Sequence, residues 1–516
     1  MKRTPWWGKA AVTAGLGLLT IVLFAGGVGK LPGPEADTPV AEDRMSVTLM
    51  PYSWEGGLRW REDHPMIQYL NDKFNVDLKL LWTDGESYKD KLQVMAASGK
   101  LPDVFQVEPD MFVNWQPKQA FLDLDPLLGA YPHLASAFGQ SEWDLLNPDG
   151  RTYGIPVNDV EFRDSYQIRA DWLEKAGLPM PEEGSFTVND FYRIVQAFAL
   201  EDPDDDGAND TFGLSISNQL SGSSPSNSLQ LRAAFGLANE WKLIDGELVS
   251  QYTQTTEMKK YLAFLAKLYA EGLLDRDFED KGFGTIYEEF QTGRSGIMTY
   301  RPDTLRSDEQ LLRGTDPGAR LVQLPPPIGP GGDRGNPTNL QGVNKLVVNG
   351  RIDAAKQARI LEMLDWWMSE EGSRVMNNGL KGLHYVRDDK GGYAATALAD
   401  TDLPRLLSDW LFPGSDPGAP SVYTAPEVAR FDESYYKKNA AYPYRNDAGG
   451  IEVLSLSYRW YYKKLEENFR QVQIQVIRGE KRLDAIDEAS RVWRLNGGDR
   501  IAAEVNDIYR RTKERA

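Results

Sequence analysis

The chain has 516 residues, 41% of them hydrophobic and 26% charged, a length that fills two or three domains and a composition that excludes both disorder and a polytopic membrane protein. Its 58 basic residues stand against 76 acidic ones for a formal charge of −18, with no Lys/Arg-rich run, which argues against a nucleic-acid partner. There is no cysteine, so disulfides, thiolate metal sites and a cysteine nucleophile are excluded as well.

Lys2, Arg3 and Lys9 precede an apolar run from Ala10 to Gly29, the layout of a secretory signal. The run approaches the ~20 residues that span a bilayer, so residues 1–30 read as a signal or an uncleaved anchor. Leu31 to Arg44, rich in Pro and acids and without periodicity, reads as a flexible tether.

Met45 to Trp54 alternates like a strand, Pro65 to Phe74 has a helical pattern, and Val76 to Trp82 is apolar again. Tyr88 to Val107 then predicts a helix stopped at Gly99 and a short strand, DVFQV. This β-α-β order implies a mostly parallel sheet covered by helices. Further helices are predicted over Ser185–Leu200, Met258–Leu274 and Arg359–Gly379. On the last of these, at least one of Trp366 and Trp367 must face the core. Leu324 to Gly335 is a Pro/Gly loop, and the C-terminal third is helical with aromatic clusters at Tyr435–Tyr436, Tyr442–Tyr444 and Trp460–Tyr462.

The segment EDPDDDGANDTFG, Glu201 to Gly213, has the spacing of a loop that wraps a hard cation. From Asp202 as position 1, acids fall at 3 (Asp204), 5 (Asp206) and 9 (Asp210), Gly207 takes the sharp turn at 6, and Ala208 offers its carbonyl at 7. Position 12 is Gly213 rather than the bidentate Glu of an EF-hand. The spacing favours a metal over a solvated acidic turn.

Six segments in order resemble one family. They are YKDKLQVMAASGKLPDVFQV (88–107), YGIPV (153–157), IRADWLEKAGLPMPEEGSFTVNDFYRIVQAF (168–198), AEGLLDRDF (270–278), SEEGSRVMNNGLKGLHY (369–385) and WRLNGGDRIAAEVNDIY (493–509). Together they resemble the extracellular solute-binding proteins, family 1-like and of the large Paenibacillus-type lipoprotein group, that serve carbohydrate ABC importers. The resemblance implies an α/β, two-lobed, periplasmic-binding-protein-like clamp (type II) with discontinuous lobes and a helical C-terminal part. One lobe is expected from 45–160 and 305–400, the other from 161–304 and 401–516. It further implies a monomer outside the cell that captures an oligosaccharide without catalysis and presents it to membrane permease subunits. A structural calcium in the acidic loop, with Thr211 helping, is implied too. The chain departs from the family where a lipid-bearing Cys is expected, since Gly27 stands there; free secretion, an uncleaved N-terminal anchor in the membrane or a partner-held protein are the alternatives to a lipid anchor.

Sugars stack their C–H faces on aromatic rings and bond their hydroxyls to Asp, Glu, Asn and Arg. Loops leaving strand ends nominate Trp54, Glu55, Gln106, Trp115 and Tyr153, with Tyr300 and Tyr423 from the other side. Arg169 either joins them or forms a structural pair with Asp171. His384, one of three histidines, reads as a packed loop residue. A secreted glycoside hydrolase or polysaccharide lyase is the alternative, because such sites also use acids and aromatics. No GxSxG, HExxH or GxxxxGK[ST] motif is present.

Overall fold

The computed structural model describes residues 44–515 apart from 54–58, 148–149, 163, 209, 221–225, 388–392, 412–421 and 423–425. The expected signal and nearly all of the tether lie outside the described residues.

The first sheet grows from three parallel strands. Met45–Met50, with Val47, Leu49 and Met50 buried, pairs with Val76–Leu80 on one side and Val104–Val107 on the other. Helices Pro65–Phe74 and Gly85–Ala97 make the crossovers that parallel pairing requires. Pro65 costs no hydrogen bond at the first helical turn, and His64 caps that turn, its Nδ1 accepting from Met66 N at 3.2 Å. Asn344–Val348 then adds antiparallel to Val104–Val107 and carries Ile155–Val157 at the edge. The parallel expectation therefore holds for the opening β-α-β run and ends at Val104–Val107, because the remaining strands come from distant parts of the chain.

The second sheet is antiparallel throughout. Ser165–Arg169 lies between Ile297–Tyr300 and Leu321–Gln323, every residue of the central strand being buried. Helix Val188–Leu200 begins at a capping box in which Thr187 Oγ1 accepts from Asp190 N at 3.2 Å and Asp190 Oδ2 accepts from Thr187 N at 3.0 Å. Its apolar face, Phe191, Ile194, Val195 and Phe198, is fully packed, each side chain contributing about 1.5–3 kcal/mol on burial. Helices Thr255–Ala270, Leu456–Ile477, Ala485–Trp493 and Asp499–Arg515 pack into the same core.

The fold thus has two lobes, with a hydrophobic cluster on each face of each sheet. Pairing and packing place two further segments. Leu305 and Leu312 pack with Ile286, Phe290 and Met298, and Leu321–Gln323 pairs with Ser165–Arg169, so 305–323 goes with the second sheet. Leu406, Leu407 and Leu411 sit in the first core. Strand pairing places the first and core packing the second, and periodicity carries no record of either. The long helix predicted over Arg359–Gly379 is two, Ala354–Met368 and Glu370–Asn378. They break at Ser369, whose hydroxyl accepts from Gly372 N at 3.1 Å and caps the second. Trp367 faces the core, and Trp366 lies under Lys73, its indole N–H donating to Glu371 at 3.2 Å.

Candidate functional site

The strand registers bring one edge of each sheet to the crossings between the lobes. In the first sheet Val107 and Val157, both carboxyl-terminal, stand against Lys345 and Asn344 at the start of Asn344–Val348. In the second, Tyr300 ends its strand against Ser165. The chain passes between these edges at 158–164 and again before Asn344. Asn339 holds the two crossings together, its N–H donating to Glu161 O at 2.8 Å and its Nδ2 to Val160 O at 2.9 Å. Asn336–Pro337 pairs with Pro443–Tyr444, and Asn439 Nδ2 donates to Phe162 O at 3.3 Å. The cleft expected from the two-lobed fold is the space between these edges.

On the second-lobe wall, Arg301 follows Tyr300 directly. It grips Asp303 in a fork, Nε to Oδ1 at 2.9 Å and a terminal nitrogen to Oδ2 at 2.6 Å, while Tyr436 OH donates to Asp303 Oδ1 at 2.9 Å. Burial pushes the Asp303 carboxyl up, but the Arg301 guanidinium and the Tyr436 hydroxyl hold it below the usual carboxylate range. Asp432 lies one helical turn before Tyr436 on Pro426–Ala440. Burial first, and the charge of Asp303 second, push its carboxyl up to about 6. Its Oδ1 is buried without a hydrogen-bond partner among the described residues. This wall therefore offers a fixed cation, a hydroxyl and a spare acceptor. The sequence names Tyr435–Tyr436 only as an aromatic cluster and does not point to Arg301, Asp303 or Asp432; the i, i+4 spacing of Asp432 and Tyr436 was the available signal.

The nominated ligand residues scatter. Tyr300 stands at the cleft edge, half-buried against Phe283 and Tyr287 with ring centroids 5.3 and 4.6 Å away. Gln106 is buried next to the end of its strand, its amide donating to Leu411 O at 3.4 Å. Trp115 and Tyr153 are half-buried against the cluster that contains Phe112 and Phe121. Arg169 is fully buried: its Nε and a terminal nitrogen donate to Asp171 at 2.9 and 2.5 Å, it pairs with Asp316, and its guanidinium stacks 4.6 Å from the Trp172 ring. The structural pair, not ligand contact, is what this geometry gives Arg169. His384 is buried as expected, Nδ1 accepting from Leu380 N at 2.8 Å and Nε2 lying 3.2 Å from Asp402 Oδ2. Trp54, Glu55 and Tyr423 lie outside the described residues.

The acidic loop follows helix Val188–Leu200. Asp202 and Asp205 take left-handed conformations, φ 43° and 61°, and Gly207 takes φ 83°, which curls the chain and points alternate side chains inward. Carboxylate oxygens of Asp202, Asp204 and Asp206 come within 4.8 Å of one another. Gly207 N donates to Asp202 Oδ2 at 3.2 Å and Ala208 N to Asp206 Oδ1 at 2.7 Å. Oδ1 of Asp202 and Oδ1 of Asp204 are buried with no partner among the described residues. Burial, reinforced by the charges of Asp206 and Asp202, raises the Asp204 carboxyl above its ordinary value. Converging oxygens that lack donors fit a hard cation. Asp210 is outside the group of three, and the Thr211 hydroxyl donates to Phe198 O at 2.7 Å. Gly213 stands where an EF-hand carries Glu because a Cβ there would come 2.1 Å from Val195 O.

The description "Bacterial extracellular solute-binding protein" matches residues 62–373, more than half of the chain. Lipoprotein LipO of Bacillus subtilis is 26% identical over 478 residues, covering 87% of this chain and 89% of LipO. The polygalacturonan/rhamnogalacturonan-binding protein YtcQ of the same organism is 25% identical, covering 72% of this chain and 74% of YtcQ. Among solved structures, alginate-binding protein AlgQ2 without calcium ion superposes with a TM-score of 0.68 at 19% identity, over 91% of this chain and 99% of that one. The family description and the name of YtcQ are those of binding proteins and lend no support to the hydrolase or lyase alternative. Among the described residues no helix is long and apolar enough to cross a membrane. From its length, its two-lobed fold and its sequence, the chain belongs to the bacterial extracellular solute-binding proteins.

Proposed function

We propose that the solute is an oligosaccharide, held without chemistry in the cleft between the lobes and handed to the permease subunits of an ABC importer. The observation that carries this reading is the alignment with YtcQ, whose name records a polysaccharide ligand, on a fold whose cleft wall sets Arg301, Tyr436 and a spare Asp432 acceptor beside Tyr300. Tyr300 supplies a stacking face, and Arg301 and Asp432 bond sugar hydroxyls. Trp54, Glu55, Gln106, Trp115, Tyr153 and Tyr423 are further candidates. The lobes divide at the crossings, about 44–160 with 340–411 and 161–339 with 426–515. The protein works as a monomer on the outer side of the membrane. Isothermal titration against a library of oligosaccharides, neutral and uronate-containing, tests the reading: saturable heat from at least one is expected, and none from any contradicts it.

The acidic loop is proposed to hold a structural calcium. Asp202, Asp204 and Asp206 are its central ligands, with Ala208, Asp210 and Thr211 completing the shell. The ion supplies charge neutralisation, since carboxylates this close repel one another until a divalent cation lies among them.

A further inference from the structure

Two of the chain's three histidines meet at one residue. His64 stands just before helix Pro65–Phe74 and His384 just before strand Tyr385–Arg387. The Nε2 of each ring reaches Asp402, His64 at the carbonyl (2.8 Å) and His384 at Oδ2 (3.2 Å). Asp402 ends the helix Ala397–Asp402, and Leu403 after it turns left-handed, φ 49°. Trp60 completes the grip: its ring stacks on His64 with centroids 4.5 Å apart, and its indole N–H donates to Leu403 O at 3.0 Å.

Hydrogen bonds fix the proton on each ring. Nδ1 of His64 accepts from Met66 N at 3.2 Å and Nδ1 of His384 from Leu380 N at 2.8 Å, so in both the proton sits on Nε2 and is donated to Asp402. A second proton can enter only at Nδ1, where it would face an N–H and break that bond. The charges facing His64 are those of Asp402, Asp63 and, once protonated, His384; Asp63 is itself paired with Arg61 at 3.1 Å. Burial outweighs the two acids and holds the His64 imidazole below its ordinary value. His384 faces Asp402 and His64. The Asp402 charge favours a proton on His384, but the ring is fully buried and so closely packed that a Cβ on Gly379 would lie 2.5 Å from Nδ1.

We propose that His64 and His384 form an acid-released clasp: neutral, they lock Asp402 and the segment Ala397–Leu411 onto the first lobe, and a proton at either Nδ1 opens the lock. The segment reaches the first sheet. Its Leu406, Leu407 and Leu411 lie in the first core, and Leu411 O accepts from the Gln106 amide at 3.4 Å. An opened segment with ordinary imidazoles binds the protons that the clasp excludes. The clasp is therefore at full strength above about pH 6.5 and weakens as pH falls below it.

The test is two measurements on the full chain. Nuclear magnetic resonance of nitrogen-labelled histidine at pH 8 should show His64 and His384 as Nε2–H tautomers, with the exposed His133 as reference. An Nδ1–H tautomer or an imidazolium at either position overturns the proposal. Hydrogen exchange, corrected for intrinsic rate, should show protection of Ala397–Leu411 falling about tenfold for each histidine between pH 8 and pH 5.5, one unit below the ordinary imidazole value. Strand Ser165–Arg169 in the other lobe should keep its protection. His64→Asn keeps an acceptor for the helix cap but takes no proton; whatever its protection at pH 8, acid should lower it by about tenfold or less. Protection of Ala397–Leu411 that is equal at the two pH values, a fall shared equally by Ser165–Arg169, or a fall as large in His64→Asn as in the parent overturns the proposal.

Discussion

Lys175 Nζ lies 2.6 Å from Asp205 and donates to the carbonyls of Asp202 and Pro203 at 3.1 and 2.9 Å. One ammonium thus offsets part of the acidic loop from outside the Asp202–Asp204–Asp206 group, leaving the inward oxygens free for an ion. Calcium bound only by the folded loop should add about 2.7 kcal/mol of stability when its free concentration is a hundredfold above the dissociation constant. Scanning calorimetry in calcium and in chelator should show the lower melting temperature in chelator. Asp206→Ala should erase the difference. Identical melting in both, with no ion titrating into the chelated protein, would mean that the loop is only a solvated turn.

The Asp432 carboxyl, raised to about 6 by burial and by Asp303, has a definite sign. Its unfolded value is about 3.9, so between the two values the folded state holds the extra proton. Its contribution to stability is therefore full below about pH 4 and is lost as pH rises through 6. Asp432→Asn should raise stability by about 1 kcal/mol at pH 7.5 and change little at pH 4. A variant less stable at both pH values would show that a charged carboxylate is needed there.

Glu504 gives the opposite sign. Burial raises its pKa, but bonds from Ser457 Oγ and N at 2.7 and 2.9 Å, from Ser455 Oγ at 2.7 Å and from Arg500 at 3.0 Å pull it down to about 2. Through it the helix Asp499–Arg515 caps the start of Leu456–Ile477. This stability is present above the unfolded value of about 4.3 and is lost as pH falls toward 2. Glu504→Gln should cost about 1 kcal/mol at pH 7, and chemical denaturation at pH 7 and pH 3 should show the gap between variant and parent narrowing in acid. A gap that is unchanged at pH 3 would contradict the assignment.

Much of this fold is legible in the sequence because it rests on local chemistry. The Phe191–Phe198 periodicity, the Thr187–Asp190 capping box and the left-handed turn at Gly207 are each set within a few residues. What was not legible is long-range. Leu321–Gln323 pairs with a strand some 150 residues earlier, and the break at Ser369 rests on one hydroxyl that a helical pattern hides. Arg169 shows the limit at the site: its motif allows ligand contact or a structural pair, and only the arrival of Asp316 from another part of the chain selects the pair.

Two crossings between the lobes are laced by Asn339, and ligand is expected to close the lobes about them. Closure on ligand should lower the radius of gyration measured by small-angle scattering. An unchanged value at saturating ligand would mean that the cleft is preformed.

Capture without catalysis can be checked by calorimetric titration of the purified protein with its best oligosaccharide, followed by mass spectrometry of the ligand recovered from the calorimeter cell. Saturable binding and recovery of the ligand at its original mass after prolonged incubation are expected. Recovery of shorter fragments, at a rate proportional to protein concentration, would contradict it.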